Sequence, residues 1–367
     1  MQFLADAFEE LHVIFPLERK DKDQNIPTFL RMSECYKEQV QNLLLCGAGA
    51  AKVFRVLAYY YIARASARKT RFDCVTAQGP DETGIAAFLI SRALGIPFEL
   101  QVHTDILNPR YRGASWKEWM RFQIAKRLLP RADSVRAVSE RIKRAIIDSG
   151  IIINQSRITV LPIFTDIQEF IEAHPSEKDQ NRFKEFEFKM IAVGRFVQKE
   201  KNFQMLIEIM EKLTTVSSRI LLVLVGEGRD REYYSAQITK RNLEKNVILE
   251  KWRDDLPSFY KAFDLFLLPS FYEGWGAAVI EAMAAGLPVL MTDVGMAGEI
   301  VKDGINGRVV PAGDREKFLN AMVEMYRDPE KRIRFAKKGQ ETVVELPCAK
   351  KDEYSKLLRD SFKAYGI

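Results

Sequence analysis

Residues 269–282 of this chain have the sequence PSFYEGWGAAVIEA, which is its most informative segment. An apolar run ends at Pro269, a loop with Gly274 and Gly276 follows, and an apolar segment at helical spacing comes next. Glycines lack a Cβ atom, so a ligand can approach their backbone closely. The free N–H groups of a first helical turn attract phosphate. The segment therefore predicts a strand, a phosphate-binding turn and a helix.

Two acidic residues stand eight positions apart in this segment, Glu273 in the loop and Glu281 in the helix. The neighbours of Glu281 are apolar, and a carboxylate in such surroundings is costly to bury unless it accepts hydrogen bonds. Sugar hydroxyls would supply those bonds. A helix-start acid at Glu273 and an internal salt bridge at Glu281 are the alternatives. Both acids beside one glycine loop favour a ligand site.

The rest of the chain alternates short runs of Val, Ile and Leu with longer segments at helical spacing. This alternation is typical of βαβ units, and strands without polar alternation indicate a sheet covered on both faces. The predicted strands are 72–77, 98–102, 135–138, 189–193, 220–225, 247–249, 265–268 and 289–291. The predicted helices are 83–94, one that begins after a serine N-cap at 139, and 203–213, 231–242, 276–285 and 315–326.

These elements predict an α/β protein with two Rossmann-like, doubly wound parallel-sheet domains that face a central cleft. We expect residues 1–165 to form the first domain and 166–345 the second, with 346–367 as a C-terminal helix that returns to the first. The segment 164–187 is mostly polar and has no clear periodicity, so it is predicted to connect the domains. In such sheets ligands bind at the carboxyl ends of the strands.

Composition excludes several classes of protein. The 367 residues are 47% hydrophobic and 29% charged, unlike a disordered, collagen-like or disulfide-scaffold protein. No run reaches the roughly 18 apolar residues of a membrane helix, and the first residues do not resemble a secretory leader. The four cysteines include no CxxC pair and the chain has three histidines, so we expect free thiols and no metal site.

Positive charge is concentrated between residues 110 and 144, a segment that contains eleven Lys and Arg residues but three acidic residues. Four aromatic residues are interleaved with them: Tyr111, Trp116, Trp119 and Phe122. A basic surface with aromatic side chains can attract an anionic membrane or a nucleic acid. A solvated helix face is the alternative interpretation.

The spacing of Glu273 and Glu281, followed by AGLPV at 285–289 and DGING at 303–307, resembles the retaining glycosyltransferases of family 4, which have the GT-B fold. The resemblance covers nearly all of the second half of the chain. It is weaker in the first half. Its other elements are VGR at 193–195, KNF at 201–203, LVGEG at 224–228, DLFLLPS at 264–270 and, in the first half, FDCV at 72–75, Gly84, GIP at 95–97, His103 and VS at 138–139.

This resemblance implies a nucleotide-diphosphate-sugar donor, UDP or GDP, and neither a cofactor nor a metal. Arg195 and Lys201 would neutralise the leaving diphosphate, with Lys199 as an alternative to Lys201. Transfer would retain the anomeric configuration by front-side attack, in which the departing phosphate helps to take the acceptor's proton.

The resemblance also assigns contacts to the donor. Glu281 would bind the ribose hydroxyls, while Glu273 and His103 would meet the donor sugar. His103 follows the predicted strand 98–102 and points opposite to its apolar residues, although a structural histidine is the alternative there. The remaining donor contacts would be Gly226, Gly228, Trp252, Arg253, Gly274, Trp275, Gly276 and Ala277.

The N-terminal segment departs from the family pattern. Members begin with a strand and a glycine-rich turn, but residues 1–15 predict a helix that runs into a strand at 12–15. The opening strand is therefore expected to be missing, with 43–49 as a candidate replacement. The DKD sequence at 21–23 lies in a charged loop and is not taken as a metal site. GAGAAK at 47–52 lacks the third glycine of a dinucleotide fingerprint.

Together these observations predict a metal-independent, hexosyltransferase-type enzyme. It would move a sugar from its donor to a sugar or lipid-linked acceptor in polysaccharide or glycolipid synthesis. We expect a cytoplasmic protein without a nucleic-acid partner, and contact of 110–144 with the inner face of the plasma membrane is an open option. The alternatives are a non-catalytic GT-B subunit that binds nucleotide sugars and a GT-B nucleotide-sugar epimerase.

Overall fold

The structure is a computed structural model that describes residues 52–68, 71–152 and 154–363. The predictions for 1–15, for the DKD sequence at 21–23 and for the replacement strand at 43–49 lie outside the described residues.

Ten strands in these ranges form two parallel sheets. The strand order is β1-β2-β3-β4 in the first sheet and β10-β9-β8-β5-β6-β7 in the second. The strands are β1 Val75–Ala77, β2 Phe98–Val102, β3 Ser134–Ala137, β4 Ile158–Val160, β5 Phe188–Val193, β6 Ile220–Val225, β7 Val247–Glu250, β8 Leu265–Leu268, β9 Val289–Thr292 and β10 Arg308–Val310.

Fifteen α-helices lie in the same three ranges and cover the sheets. They are α1 Lys52–Ala67, α2 Glu82–Leu94, α3 Pro109–Arg112, α4 Trp116–Leu128, α5 Glu140–Asp148, α6 Gln168–Glu172, α7 Glu177–Arg182, α8 Gln198–Lys201, α9 Phe203–Leu213, α10 Arg231–Lys240, α11 Leu256–Tyr260, α12 Ala277–Ala284, α13 Arg315–Arg327, α14 Pro329–Val344 and α15 Lys351–Lys363.

The predicted α/β class with two parallel sheets is confirmed, and the eight strands predicted within the described residues are present. Strand β6 shows why, because all six of its side chains are fully buried and apolar. A strand buried on both faces needs no polar alternation. The elements that were not predicted include β4, β10 and α14. The two strands have three residues each and lie at sheet edges, and α14 buries only three of its sixteen residues.

The prediction that 164–187 is only a connection between the domains was incomplete. This segment contains α6 and α7, and it buries Phe170, Phe183 and the carboxylate of Asp179. Phe183 packs against the rings of Phe259 and Phe263 beside the second sheet. The segment therefore forms part of the core around that sheet, although its polar residues hide the pattern.

Helix α15, at the end of the described chain, contacts the first sheet. The hydroxyl of Tyr354 donates a hydrogen bond to the carbonyl of Pro162 at 3.0 Å and accepts one from the guanidinium of Arg136 on β3. Between the sheets, the guanidinium of Arg110 stacks on the ring of Phe271, 4.4 Å from its centroid. Within the described ranges, no helix combines the length and the apolar character needed to cross a membrane.

Candidate active site between the two sheets

A cleft of about 1170 Å³ separates the two sheets at the carboxyl ends of their strands. The first sheet contributes His103, which follows β2, and the second contributes Arg195 after β5 and the loop 272–276 after β8. Parallel strands end at the same edge of a sheet, and so residues that are far apart in the sequence meet here. The predicted candidates His103, Arg195, Lys201, Glu273 and Glu281 all line this cleft.

A buried ion pair joins the two segments from the second sheet. The Nζ atom of Lys201 lies 2.6 Å from Oε1 of Glu273 and 3.5 Å from Oε1 of Glu200, and the side chains of Lys201 and Glu273 are 13% and 8% exposed. Burial alone would lower the pKa of Lys201, but the two carboxylates outweigh this effect and the pKa is raised. Lys201 is therefore a fixed positive charge in the cleft wall.

Arg195 is the more accessible cation of the site. Its NH2 group donates to both carboxylate oxygens of Glu200, at 2.9 and 3.0 Å, while the side chain stays 73% exposed. Glu200 was not predicted from the sequence, where its only signal is its position directly before Lys201. The alternative cation, Lys199, donates from Nζ to the carbonyl of Ala114 across the cleft. Arg195 and Lys201 therefore lie side by side around one carboxylate.

The predicted glycine loop has a steric reason for its composition. We call the part of the chain built on β1–β4 the first lobe and the part built on β5–β10 the second lobe. A Cβ atom on Gly274 would lie 1.8 Å from the carbonyl oxygen of His103, so the backbones of the two lobes touch here. Gly276, at φ 99°, adopts the left-handed conformation at the start of α12, and Ala277 is the first residue of that helix. Both residues line the cleft. The start of α12 thus faces the space between the sheets, as the sequence predicted.

Trp275, between these glycines, is 2% exposed and lines the cleft. Its indole Nε1 has no hydrogen-bond partner in the described part of the chain.

The carboxylate of Glu273 has a second partner besides Lys201, because it accepts a hydrogen bond from Ser270 Oγ at 2.7 Å. Ser270 and Lys201 thus hold Glu273 in place.

Glu281 lies on the second turn of α12 and lines the cleft from the apolar helix. Burial raises its pKa to about 6, and the hydroxyl of Tyr260, at 3.4 Å from Oε2, opposes this shift. Tyr260 is itself fully buried. The carboxylate thus keeps hydrogen-bonding capacity that the described residues do not fill.

His103 stands on the opposite side, at the end of β2. Its Nε2 atom lies 2.9 Å from Oε1 of Gln101. Burial, together with the charge of Arg136, lowers the pKa of His103 to about 4. The imidazole is therefore neutral near pH 7, and it can take part in hydrogen bonds without adding charge to the cleft.

The other predicted donor contacts occupy three different environments. Trp252 is 60% exposed and lines the cleft. The side chain of Arg253 instead pairs with Asp179 at 2.9 Å and with Asp255 at 2.6 Å. Gly226 and Gly228 allow the loop after β6 to pack closely, because Cβ atoms there would lie 2.0 and 2.5 Å from the carbonyl oxygens of Gly194 and Phe196. The two glycines therefore support the segment that carries Arg195.

The cleft is also lined by polar side chains that were not predicted from the sequence. From the second lobe these are Arg229, Asp230 and Tyr233, and from the first lobe Gln78, Asp81, Ser115, Glu118 and Arg121. Nothing in the spacing of these residues distinguishes them from an ordinary polar surface. Among the described residues, no group of three or more His, Cys, Asp and Glu side chains is arranged to hold a metal ion.

Comparisons with known proteins match both halves of the chain. Residues 174–342 match the family model "Glycosyl transferases group 1", and residues 30–163 match "Glycosyl transferase 4-like domain". The chain is a GT-B protein of the glycosyltransferase family 4 type. The predicted fold class and family resemblance are thereby confirmed.

This GT-B chain is similar to curated glycosyltransferases over part of their length. It is 34% identical over 155 residues to the lipopolysaccharide core biosynthesis glycosyltransferase LpsE of Rhizobium meliloti, an alignment that covers 42% of this chain and 44% of LpsE. It is 27% identical over 274 residues to the UDP-Gal:alpha-D-GlcNAc-diphosphoundecaprenol alpha-1,3-galactosyltransferase of Escherichia coli, covering 71% and 68%. The chain thus spans less than half of LpsE and about two thirds of the Escherichia coli protein.

Solved structures show the same GT-B fold. Anabaena Alr3699/HepE in complex with UDP-glucose matches with a TM-score of 0.71 at 21% identity, over 84% of this chain and 82% of that one. The sucrose-phosphate synthase of Thermosynechococcus elongatus matches with a TM-score of 0.72 at 22% identity, over 84% and 78%.

Proposed function

We propose that this GT-B protein transfers a hexosyl group from a UDP- or GDP-sugar to an acceptor hydroxyl, with retention of configuration and without a metal, in polysaccharide or glycolipid synthesis. One observation carries the proposal: two cations, three carboxylates and a helix start converge with His103 on one cleft between the lobes. The names of the similar proteins support the class of reaction, and the UDP-glucose bound to the Anabaena protein supports the class of donor.

The donor would lie along the second lobe. The ribose hydroxyls donate to Glu281, whose carboxylate has only the Tyr260 hydroxyl as a hydrogen-bond donor among the described residues. The diphosphate lies at the amides that open α12. Trp252 lines the cleft where the base would bind, and the backbone of Arg253 would contribute there. The donor sugar lies between Glu273 and His103, which approach the cleft from opposite lobes.

The chemistry needs stabilisation of the leaving diphosphate. The bond between the anomeric carbon and the phosphate oxygen breaks, the acceptor oxygen bonds to the same face of that carbon, and the acceptor's proton passes to the leaving phosphate. Negative charge therefore grows on the diphosphate, where Arg195 and Lys201 supply preorganised positive charge. Glu273 is committed to Lys201 and Ser270, so it serves as a hydrogen-bond acceptor rather than as a nucleophile.

The acceptor side of the proposal rests on helix α4 of the first lobe. Glu118 and Arg121 of this helix line the cleft, while Trp116, Trp119 and Met120 are 67%, 54% and 44% exposed. Lys117, Lys126 and Arg127 are exposed along the same helix. Exposed tryptophans with neighbouring cations fit the interface of an anionic membrane. We propose that α4 lies on such a membrane at its cytoplasmic face and presents a lipid-linked acceptor to the cleft.

Two of the four aromatic residues in the basic segment 110–144 are not exposed on the surface of α4. Tyr111 is buried, and its ring meets that of Tyr272 edge-on at 5.5 Å. Phe122 is half-buried beneath the guanidinium of Arg112 and the ammonium of Lys126. The surface proposed to contact the membrane is therefore narrower than the sequence segment 110–144.

The test is turnover with a panel of UDP- and GDP-sugars and lipid-linked acceptors, followed by NMR of the product's anomeric proton. The proposal expects a product with the anomeric configuration of the donor. An inverted product would refute retention. Saturable nucleotide binding without turnover would instead support the non-catalytic subunit, and conversion of the nucleotide sugar without an acceptor would support the epimerase.

A further inference from the structure

A polar stripe crosses three strands of the first sheet and leads to His103. In the sheet register Thr76 of β1 lies opposite Glu99 of β2, and Gln101 of β2 lies opposite Arg136 of β3. Glu99, Gln101 and Arg136 are 0%, 6% and 4% exposed. Strands covered on both faces are normally apolar, and buried polar groups are costly without partners. The members of the stripe hydrogen-bond to one another, and the last of these contacts is made to His103.

The contacts around the side-chain amide of Gln101 favour one orientation of this amide. Its Nε2 donates to Oγ1 of Thr76 and to Oε1 of Glu99, each at 3.0 Å. The reverse orientation would place the amide nitrogen 3.5 Å from the guanidinium of Arg136, where both groups can only donate hydrogen bonds. The Oε1 atom of Gln101 consequently faces the other way, towards the imidazole of His103 and the guanidinium of Arg136.

This orientation determines which nitrogen of His103 carries the proton. An amide oxygen accepts and cannot donate, so the contact of 2.9 Å requires a hydrogen on Nε2 of His103. In a neutral imidazole the other nitrogen, Nδ1, is then an acceptor. The nearby guanidinium of Arg136 and the burial of the ring both oppose a second proton.

We infer that Gln101 is a positioning residue that fixes His103 in the Nε2–H tautomer, so that Nδ1 is the ring's hydrogen-bond acceptor for a hydroxyl of the bound sugar. Glu99 and Arg136 orient the amide, and the amide orients the ring. The part about the sugar rests on the proposed function. The part about the tautomer does not, because it concerns the protein alone.

Long-range ¹H–¹⁵N NMR of the ¹⁵N-histidine-labelled protein tests the tautomer without any ligand. The chain has three histidines, so substitution of His12 and His174 with Gln assigns the His103 signals. We expect the Nε2–H pattern for wild-type His103 near neutral pH and a mixture of tautomers in Gln101→Met, which keeps the length of the side chain but lacks the amide. An Nδ1–H or doubly protonated ring in the wild type would overturn the inference.

A binding experiment separates positioning from general structural damage. For Gln101→Met we expect the affinity for the UDP-sugar to fall about tenfold relative to that for UDP, since a hydrogen bond to the sugar is lost. Affinity for UDP itself should not change. Equal losses for UDP and UDP-sugar, or a pure Nε2–H signal in this variant, would refute the positioning role.

Variants of Thr76 keep the inference testable if Gln101→Met does not fold. Thr76→Ser retains the hydroxyl that accepts from Gln101, and we expect it to match the wild type in tautomer and sugar affinity. Thr76→Val removes the hydroxyl at similar size and should loosen the amide, with part of the effect of Gln101→Met. Identical NMR patterns for Ser and Val at this position would contradict the role of the stripe. If the protein forms no product at all, the NMR result still stands by itself.

Discussion

The ammonium of Lys201 lies 2.6 Å from the carboxylate of Glu273, although 72 positions separate the two residues in the sequence. Lys201 ends α8 after the first strand of the second sheet, and Glu273 lies in the loop before α12. The pair therefore ties together the two segments that form the donor side of the cleft. Its partners Glu200 and Arg195 extend the network to the open surface of the cleft.

Removal of the accessible cation should slow the chemical step more than it weakens folding. For Arg195→Ala we predict a fall in turnover of about a hundredfold, because charge stabilisation of the leaving diphosphate is lost. Arg219→Ala, at an exposed arginine outside the cleft wall, is the control and should retain activity. Steady-state kinetics at saturating donor measure both variants. An unchanged rate in Arg195→Ala would exclude this role.

Glu281 should destabilise the unliganded protein at neutral pH. Its pKa rises from the ordinary 4.5 to about 6 on folding, so the folded state binds the proton more tightly than the unfolded state. The buried, charged carboxylate therefore lowers the free energy of unfolding fully above about pH 6 and not at all below about pH 4.5. We predict that Glu281→Gln raises the free energy of unfolding by up to about 2 kcal/mol near pH 8 and by almost nothing near pH 4.

Urea unfolding of the unliganded proteins at the two pH values measures this difference. Glu316→Gln, at an exposed glutamate, is the matched control and should show no such pH dependence. UDP affinity should change in the opposite direction: Glu281→Gln binds more weakly, and wild-type affinity declines as the pH falls below about 6. A stability gain that is the same at both pH values would contradict the assignment.

The contact between the lobes at Gly274 should not tolerate a side chain. For Gly274→Ala we predict that the added Cβ, at 1.8 Å from the His103 carbonyl oxygen, forces the lobes apart. Turnover should be lost, and small-angle X-ray scattering should show a larger radius of gyration. Gly113→Ala is the control, because its Cβ would approach no atom closer than 3.4 Å. Wild-type scattering and activity in Gly274→Ala would show that the lobes do not meet there.

The exposed face of α4 should bind anionic membranes. We predict that vesicles of phosphatidylcholine and phosphatidylglycerol bind the wild type, and that Trp116→Ala/Trp119→Ala lowers this binding at least about tenfold. Binding should weaken with salt and be absent on vesicles of phosphatidylcholine alone. Ile333→Ala, at a side chain that is 69% exposed on α14, is the control. Wild-type binding by the double variant, or self-association through this face, would contradict the proposal.

Sequence patterns predicted the parts of the fold that depend on buried apolar runs. Strands β2, β6 and β8 have the predicted bounds to the residue, since their side chains are buried throughout. Short edge strands such as β4 and β10 carry too few residues for a pattern. The segment 164–187 was misjudged because its structure comes from contacts such as that between Asp179 and Arg253, whose positions are 74 residues apart.

The candidate site likewise has one part that could be predicted from the sequence and another that could not. The loop before α12 could be predicted because its glycines and acids lie within one segment. The pairing of Lys201 with Glu273, and the ordering of His103 by Gln101 and Glu99, depend on which strands become neighbours. Even the sheet register that places Gln101 opposite Arg136 cannot be deduced from one strand alone.

A crystal structure with the nucleotide sugar that gives the largest thermal shift is the most direct test of the proposed donor site. We predict that the ribose hydroxyls lie within hydrogen-bonding distance of Glu281 and that the diphosphate lies at the start of α12 beside Arg195 and Lys201. The sugar should lie between Glu273 and His103. A nucleotide bound outside the cleft, or one whose ribose leaves Glu281 without contact, would contradict this prediction.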